Sequence, residues 1–179
     1  MIDNLDIDSS INNPLMWCKL AYWELSQRVG PTFPVECTAV NVFGDDPHGD
    51  GLNLEDLAQH SFSSSDSVRQ ARGKIGLGVT LSQEGGCVWV YNRSDSPVFV
   101  SSLSLGNVDS PSPTRVPAGY CLCVHDPAKV PERFTHPRHG PIDPNSISIS
   151  FVKGWGQTYT RREIMSCPCW LEVLLAPCR

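Results

Sequence analysis

The sequence of 179 residues lacks long apolar runs. No stretch approaches the roughly 18 apolar residues that a membrane-spanning helix needs, so we expect no membrane insertion. The first 14 residues, MIDNLDIDSSINNP, are acidic and polar, without the basic and apolar regions of a secretory signal. We therefore expect a protein that stays inside the cell, with an acidic leader or linker over residues 1–14 and one domain behind it.

The sequence also lacks an excess of basic residues. Its 14 Lys and Arg stand against 19 Asp and Glu, a net charge of -5, which argues against direct binding to nucleic acid. The charge is uneven, because residues 1–110 hold 6 Lys and Arg against 14 Asp and Glu, whereas residues 111–179 hold 8 against 5. A basic patch on an acidic protein favours a compact anionic target, such as a phosphorylated segment, over a long polyanion.

Motifs for enzymatic chemistry are missing as well. GKIGLG has the spacing of neither phosphate-loop motif, and no histidine lies in a pattern that pairs a nucleophile with an oriented acid. We expect neither an enzyme nor a cofactor. The eight cysteines lack Cys-x-x-Cys spacing and lie mostly in strand-like runs, which predicts buried free thiols. The alternative is zinc ligation by the two Cys-x-Cys pairs, Cys121/Cys123 and Cys167/Cys169, with His125 or with His136 and His139.

What the sequence contains is a series of short runs rich in aromatic and β-branched residues, separated by Gly, Pro, Asn and Asp. Their even spacing predicts an antiparallel β-sandwich with a hairpin turn at NRSDSP. Trp17, Trp23, Trp89 and Trp170 lie within these runs and are expected in the core. The predicted strands cover residues 17–25, 33–43, 76–81, 87–92, 97–102, 119–124, 146–152 and 169–175.

One helix is predicted over the stretch VRQARGK. Ser65 or Asp66 can cap its first turn, and Gly73 and Gly76 follow it. By contrast, residues 125–144 contain five prolines in 20 residues. Because proline costs a helix interior about 3 kcal/mol, this stretch is expected to be an irregular surface connection.

The main functional signal lies in FVKGWGQTYTRR, close to the end of the chain. Lys153, Arg161 and Arg162 are near Tyr159 in sequence and near two glycines that leave the backbone open to a ligand. This composition predicts a loop for an anionic partner. Trp155 lies between the two glycines, and the sequence leaves open whether it contacts a partner or supports the loop.

Several segments together resemble the Mad homology 2 domain of Smad proteins. They are WCKLAYWELSQRVG, SVRQARGKIGLGVTL, VYNRSDSPVFVSS, RVPAGY, SISFVKGWGQTYTRR and CPCWLEVLL, in that order. The resemblance implies a Mad homology 2 domain over residues 15–179. It also implies a β-sandwich related to forkhead-associated domains, with a short helix and loop layer and usually a three-helix bundle.

The sequence differs from the activating Smads in two features, and in both it resembles inhibitory Smads. The sequence ends at APCR, without the Ser-Ser-x-Ser tail that type I receptors phosphorylate, and residues 125–144 replace two bundle helices. We therefore expect the bundle to be reduced or absent, and the protein to be a monomer because the family's trimers dock onto that bundle. Divergence from the vertebrate forms favours an insect Daughters-against-Dpp type.

The resemblance also assigns site residues. The family's phosphoserine pocket corresponds to Arg115, Lys153, Tyr159 and Arg161. The acidic residue Glu163 resembles the residue found at this position in activating Smads of the bone morphogenetic protein (BMP) branch. Thr160 departs from the patterns of both the BMP and the activin branch. The receptor-contacting set comprises Arg69, Arg72, Lys74, Trp155, Thr160, Arg162 and Glu163.

The resemblance predicts an antagonist of TGF-beta superfamily signalling. It would bind the phosphorylated type I receptor of the BMP branch, block receptor-regulated Smads, and occur in cytoplasm and nucleus. The alternative is a decoy that binds the phosphorylated tail of an activating Smad. Ubiquitin ligases would be recruited through regions outside this sequence, which contains no Pro-Pro-x-Tyr motif.

Overall fold

Twelve strands and two short α-helices build the described part of the chain. The computed structural model describes residues 15–45, 49–61, 65–106, 112–130 and 145–176. The helices are α1 (Leu54–Ala58) and α2 (Asp66–Arg72), and two 3₁₀ turns cover Pro127–Lys129 and Ile164–Ser166. The strands are β1 (Cys18–Glu24), β2 (Gln27–Arg28), β3 (Phe33–Val35), β4 (Ala39–Phe43), β5 (Gly51–Asn53), β6 (Val79–Glu84), β7 (Cys87–Asn92), β8 (Val98–Ser101), β9 (Thr114–Val116), β10 (Cys121–His125), β11 (Ser146–Phe151) and β12 (Trp170–Leu175).

The strands form two sheets around one core. Sheet A has the order β2-β1-β12-β11-β8-β9, with β3 also paired to β1, and sheet B has the order β10-β7-β6-β4-β5. Every pairing is antiparallel except that of β4 with β5, which is parallel. The predicted β-sandwich is confirmed, with this one parallel pair as the exception.

The core follows from the alternation of apolar residues along the strands. Leu20, Ile149 and Leu171 of sheet A and Leu81 and Val90 of sheet B are fully buried in the same hydrophobic cluster. Burial of each such side chain stabilises the fold by about 1.5–3 kcal/mol. We call this cluster the main core.

The predicted hairpin at NRSDSP is wrong, because β7 belongs to sheet B and β8 to sheet A. The connection instead carries the chain between the sheets. Asn92 is fully buried there, and its amide donates to the carbonyls of Ser96 at 2.8 Å and Val116 at 3.0 Å. A tight hairpin lies instead between β6 and β7, where Gly85 and Gly86 have φ of +57° and +83°. Such left-handed pairs favour glycine and match the twist of the strands.

Other predictions need smaller corrections. The run 33–43 is two strands, because residues 36–38 separate β3 from β4. Trp17 and Trp170 are buried as expected, but Trp23 is only partly buried. Trp89 is 36% exposed, because it lies on the outward face of β7 between buried Val88 and Val90.

The helical layer is short. Helix α2 confirms the predicted helix: the hydroxyl of Ser65 accepts from the Val68 amide, and Gly73 ends the helix. Neither α-helix is long or apolar enough to cross a membrane, within the ranges described. Of the proline-rich stretch, only residues 125–130 are described, and they hold the end of β10 and one 3₁₀ turn. Residues 131–144, like the leader 1–14, lie outside the described residues.

One row of cross-strand partners crosses the outer face of sheet A. Because directly opposed residues of an antiparallel pair project to the same face, these side chains all lie on the side away from the main core. We call them the outer row. In order, the outer row consists of Arg28, Trp23, Trp170, Ser150, Phe99 and Arg115.

Candidate functional site

The chain leaves β11 at Phe151 and folds over the outer row before it enters β12. We call residues 152–163 the basic loop. The loop rests on a second hydrophobic cluster, in which the rings of Trp23 and Trp170 stack with centroids 5.1 Å apart. The members of this cluster are Phe99, Trp155, Cys167 and Trp170, with Trp23, Tyr159 and Ile164 packed against them.

Backbone hydrogen bonds close the basic loop and tie its end to the turn after β1. The Gly156 amide donates to the carbonyl of Arg161 at 2.8 Å. The Leu25 amide donates to the carbonyl of Cys167 at 3.1 Å, and the Trp170 indole donates to the Leu25 carbonyl at 2.8 Å. The loop therefore has a defined backbone.

Trp155 supports the loop rather than offering a contact surface. Its side chain is only 7% exposed and lies in the second hydrophobic cluster. This placement answers the question that the sequence left open. Because a buried indole has little surface for a partner, we do not retain Trp155 among the receptor contacts.

Arg161 and Tyr159 are brought together by the loop. The Arg161 Nε donates to the carbonyl of Gly154 at 2.9 Å, and its guanidinium lies 5.7 Å from the centre of the Tyr159 ring. Tyr159 packs edge-on against Phe99, with ring centroids 6.1 Å apart. None of the hydrogen bonds among described residues uses the two terminal amino groups of Arg161. That side of the guanidinium can therefore form the paired donors that a phosphate accepts.

Lys153 combines an exposed side chain with a fixed backbone. Its amide donates to the Phe151 carbonyl at 2.7 Å, and its own carbonyl accepts from the Ser150 hydroxyl at 2.5 Å and from the Cys167 thiol at 3.7 Å. Burial raises the pKa of Cys167, so the sulfur keeps its proton at neutral pH and can donate. Lys153 forms no ion pair with any described residue, which leaves its ammonium group available.

Arg115 lies on the strand beside the basic loop. It is the cross-strand partner of Phe99, whose ring contacts Tyr159, so both side chains lie on the outer face of sheet A. The start of the same strand approaches the loop, since a Cβ at Gly156 would lie 3.5 Å from Cδ of Pro113. The Arg115 side chain is exposed and has no ion-pair partner in the described ranges.

Three of the four predicted phosphate-binding residues thus lie on one loop, and the fourth lies on the neighbouring strand. Together they offer one point charge, two guanidinium groups and a phenol hydroxyl. A tetrahedral anion can accept hydrogen bonds from all three kinds of donor. The residues are Lys153, Tyr159, Arg161 and Arg115.

Arg72 has a structural partner, which changes its predicted role. Its Nε and Nη2 donate to the Glu24 carboxylate at 3.0 and 2.5 Å, and its side chain is 12% exposed. Glu24 also accepts from the hydroxyls of Tyr22 and Ser61, each at 2.9 Å. Because this guanidinium is only slightly exposed and is bound by Glu24, we do not retain Arg72 as a receptor contact.

The other two members of the predicted helix patch face solvent. Arg69 is 61% exposed and pairs with Asp66, one helical turn before it. Lys74 is exposed and lines a cavity of about 310 Å³ beside Arg93, Asp45 and Asp95. Arg69 and Lys74 therefore keep the surface position that a contact with a partner requires.

The residues predicted to set receptor preference lie at the far end of the basic loop. Thr160, Arg162 and Glu163 are all exposed. The Arg162 guanidinium donates to the Gln157 carbonyl at 3.2 Å, and the Glu163 carbonyl accepts from the Ser166 amide at 3.0 Å. Both contacts involve backbone carbonyls and leave the Glu163 carboxylate facing solvent.

The prediction that the cysteines are buried holds for only some of the described ones. Among the seven described, Cys18, Cys167 and Cys169 are buried, whereas Cys37 and Cys121 are exposed. The described residues contain no group of three metal-ligating side chains, and His136 and His139 lie outside them. The described residues, which include both Cys-x-Cys pairs, therefore give the zinc alternative no support.

Stability should decrease when the pH falls below about 6.5, because His125 is buried at the end of β10. Burial lowers the pKa of His125, although the charge of Asp126 acts in the opposite direction. In this pH range the unfolded chain therefore binds more protons than the folded chain. The contribution of neutral His125 to the free energy of unfolding is complete above the pKa of the unfolded chain, and it is lost as the pH falls through the lower pKa of the folded chain. Urea unfolding between pH 5 and pH 8 measures this effect. His125→Gln should flatten the pH dependence, and equal slopes in both proteins would contradict the prediction.

Sequence reasoning missed the residues that hold the site in place. Ser150, Phe99 and Cys167 fix Lys153, Tyr159 and the loop end, yet none carries a charge that draws attention. For Phe99 and Ser150, the signal in the sequence was the period-2 alternation of β8 and β11, which places both residues on the outer face.

The structure thus defines a β-sandwich domain with a basic loop on the outer face of one sheet. The model of the MH2 domain family matches residues 15–176. The chain therefore belongs to the MH2 domain family.

Two relatives place it more narrowly within that family. The chain is 44% identical over 167 residues to Mothers against decapentaplegic homolog 6 of Gallus gallus, covering 89% of this chain and 38% of the relative. It is 42% identical over 164 residues to homolog 7 of Homo sapiens, covering 88% and 38%. These relatives are inhibitory Smads, which confirms the resemblance to an inhibitory Smad MH2 domain, whereas the insect type stays a prediction. The chain spans 38% of the length of each.

Two solved structures share the fold. The interferon regulatory factor 9 IAD domain has a TM-score of 0.57 at 12% identity, covering 98% of this chain and 88% of that one. One chain in the crystal structure of the complex between STAT2 and IRF9 has a TM-score of 0.58 at 13% identity, covering 93% of this chain and 95% of that one. At these identities the similarity shows a common fold alone.

Proposed function

We propose that this chain is an inhibitory Smad MH2 domain that binds the phosphorylated type I receptor of the BMP branch and excludes receptor-regulated Smads. One observation carries the proposal. The basic loop has a fixed backbone and presents an exposed Lys153, and the Arg161 guanidinium bonds through its Nε to the carbonyl of the next residue, Gly154, while its terminal amino groups make no hydrogen bond to the described residues. Such a loop loses little conformational entropy when it binds an anion.

The chemistry of the loop suits a phosphoserine. Arg161 supplies a fork of donors in fixed geometry, and Lys153 supplies a compact point charge. Arg115 adds a second guanidinium from the neighbouring strand. Hydrogen bonds to charged groups are roughly twice as strong as neutral ones, so a phosphate should be preferred over a neutral serine.

Inhibition follows from occupancy. A domain that holds the phosphorylated segment of the receptor denies it to a receptor-regulated Smad. Glu163 would favour a basic residue on the receptor and repel an acidic one, which is how charge excludes wrong partners. Arg69 and Lys74 provide further exposed cations for the same acidic surface.

We further propose that the domain acts as a monomer in cytoplasm and nucleus. It would need neither a cofactor nor direct contact with nucleic acid. Recruitment of ubiquitin ligases would belong to regions beyond the 38% of the relatives' length that this chain spans.

Lys153→Ala should weaken binding to a phosphorylated type I receptor kinase domain by roughly 10- to 150-fold, since a hydrogen bond to a charged group contributes about 1.5–3 kcal/mol. Isothermal titration calorimetry at one fixed salt concentration, with phosphorylated and unphosphorylated receptor, measures this loss. Lys129→Ala is the matched control, because Lys129 is also exposed and loses the same charge, but it lies after β10 beside Asp126.

Three results would count against the proposal. Wild-type protein that binds both receptor forms equally would show that the site does not recognise phosphate. Equal losses for the two lysine variants would show a general charge effect. Tighter binding to a phosphorylated Ser-x-Ser tail peptide than to the receptor would favour the decoy function instead.

A further inference from the structure

Val152, the first residue of the basic loop, has a left-handed backbone. Its φ is +72°, and among the described residues other than glycine only Leu25 also has a positive φ. A β-branched side chain makes this conformation costly. The Lys153 amide donates to the Phe151 carbonyl at 2.7 Å, which closes a γ-turn centred on Val152. A γ-turn with positive φ is rare and strained.

The surroundings hold this turn in place from both sides. The Val152 amide donates to the Pro97 carbonyl at 3.1 Å, and its half-buried side chain packs against the main core. On the other side of the turn, the Lys153 carbonyl accepts from the hydroxyl of fully buried Ser150 at 2.5 Å and from Cys167. A strained conformation persists when neighbouring contacts over-determine it, as these contacts do.

The turn decides on which side of sheet A the lysine lies. In β11 the buried residues Ile147, Ile149 and Phe151 alternate with outward serines, so a continued strand would direct residue 153 into the main core. The γ-turn exchanges the directions in which the side chains of residues 152 and 153 point. Val152 packs against the main core, and Lys153 is exposed on the loop.

We propose that Ser150 and the γ-turn at Val152 form a positioning device that directs Lys153 toward the anionic group of the ligand. This inference rests on the proposed function, because it assigns Lys153 a ligand. Ser150 lies in the outer row between Trp170 and Phe99, where its hydroxyl reaches the Lys153 carbonyl from below the loop. Ser150 needs no contact with the ligand.

Ser150→Ala tests the device, with Ser148→Ala as the matched control. Ser148 lies two residues earlier on the same strand and face, and it makes no hydrogen bond through its hydroxyl to the described residues. Ser150→Ala removes one hydrogen bond between two uncharged groups. It should therefore weaken binding of a phosphorylated receptor segment by only about two- to twelvefold. Its melting temperature should fall by only about 2–4 °C. Ser148→Ala should change neither value.

Two further measurements separate positioning from a general loss of structure. In the Lys153→Ala background, Ser150→Ala should cause no further loss of affinity, because it acts through Lys153. Without any ligand, Ser150→Ala should speed hydrogen exchange of the Lys153 amide, whose bond closes the γ-turn. An affinity loss that persists without Lys153, or unchanged exchange, would overturn the proposal. If wild-type protein ignores the phosphate, the proposed function fails and the contact of Lys153 with an anion fails with it, whereas the exchange result still decides separately whether Ser150 holds the γ-turn.

Discussion

Replacing Arg72 with alanine is expected to lower the free energy of unfolding by about 3–5 kcal/mol, well above the effect of most single substitutions. The reason is the charge that is left behind. Glu24 is only 5% exposed, and Arg72 is the cation that neutralises it. Tyr22 and Ser61 continue to donate to the carboxylate, but neither brings a charge. Urea unfolding monitored by tryptophan fluorescence measures the difference.

Two variants make the Arg72 result interpretable. Arg69→Ala removes the same side chain from an exposed position of the same helix and should change stability by less than about 0.5 kcal/mol. Adding Glu24→Gln to Arg72→Ala should restore part of the lost stability, because it removes the unpaired buried charge. Similar losses at Arg69 and Arg72 would show that the ion pair with Glu24 is not what holds α2 to β1.

Gly154→Ala is expected to disable the basic loop by steric overlap. A Cβ at this position would lie 2.7 and 2.8 Å from Cζ and Oη of Tyr159 and 2.9 Å from Cε1 of Phe99. Tyr159 would have to move, and Arg161 would move with it, since its guanidinium lies over that ring and bonds to the Gly154 carbonyl. Such overpacking costs about 1–3 kcal/mol, and phosphate-dependent binding should weaken about tenfold or more.

The matched control for Gly154→Ala is the same change at Gly106. There the nearest atom to a new Cβ is the Ser102 carbonyl oxygen at 3.5 Å, which is an ordinary contact. Gly106→Ala should leave both the melting temperature and the affinity for phosphorylated receptor near their wild-type values. Should Gly154→Ala bind as tightly as Gly106→Ala, Tyr159 and Arg161 would not belong to the binding site.

Local signals were sufficient to predict most elements of the fold. CVWVYN coincides with β7, and Ser65 caps α2 as one of the two residues expected. Alternation along a strand and capping of a helix depend on residues within a few positions of one another. Such features can therefore be read from the sequence alone.

Sheet membership and exposure depended on distant parts of the chain. NRSDSP has the composition of a hairpin turn, yet a turn does not specify whether the next strand joins the same sheet. Trp89 was expected inside because tryptophan is usually buried, but its place on the outward face of β7 left it 36% exposed. In both cases the outcome was decided by how the two sheets pack.

The sequence predicted which charged residues belong to the candidate site, but it did not predict how they are arranged or which of them have partners. Lys153, Tyr159 and Arg161 were recognised from composition and resemblance, and the structure places them on one loop. The partner of Arg72 lies 48 residues away in sequence, so no local pattern could show that this arginine is engaged. Nothing in the letters FVKG indicates that the valine has positive φ, because its strain is sustained by contacts with Pro97, Ser150 and the main core.

The outer row also bears on how such a domain can change over evolutionary time. The inward side chains of sheet A pack in the main core, and its outward side chains form the outer row under the basic loop. The main core and the outer row therefore share a backbone but few side chains. Substitutions at the loop surface, as at Thr160 or Glu163, leave the volume of the main core untouched. Under the proposed function, partner preference and folding are therefore only weakly linked traits in this architecture, and a lineage can redirect one with little loss of the other.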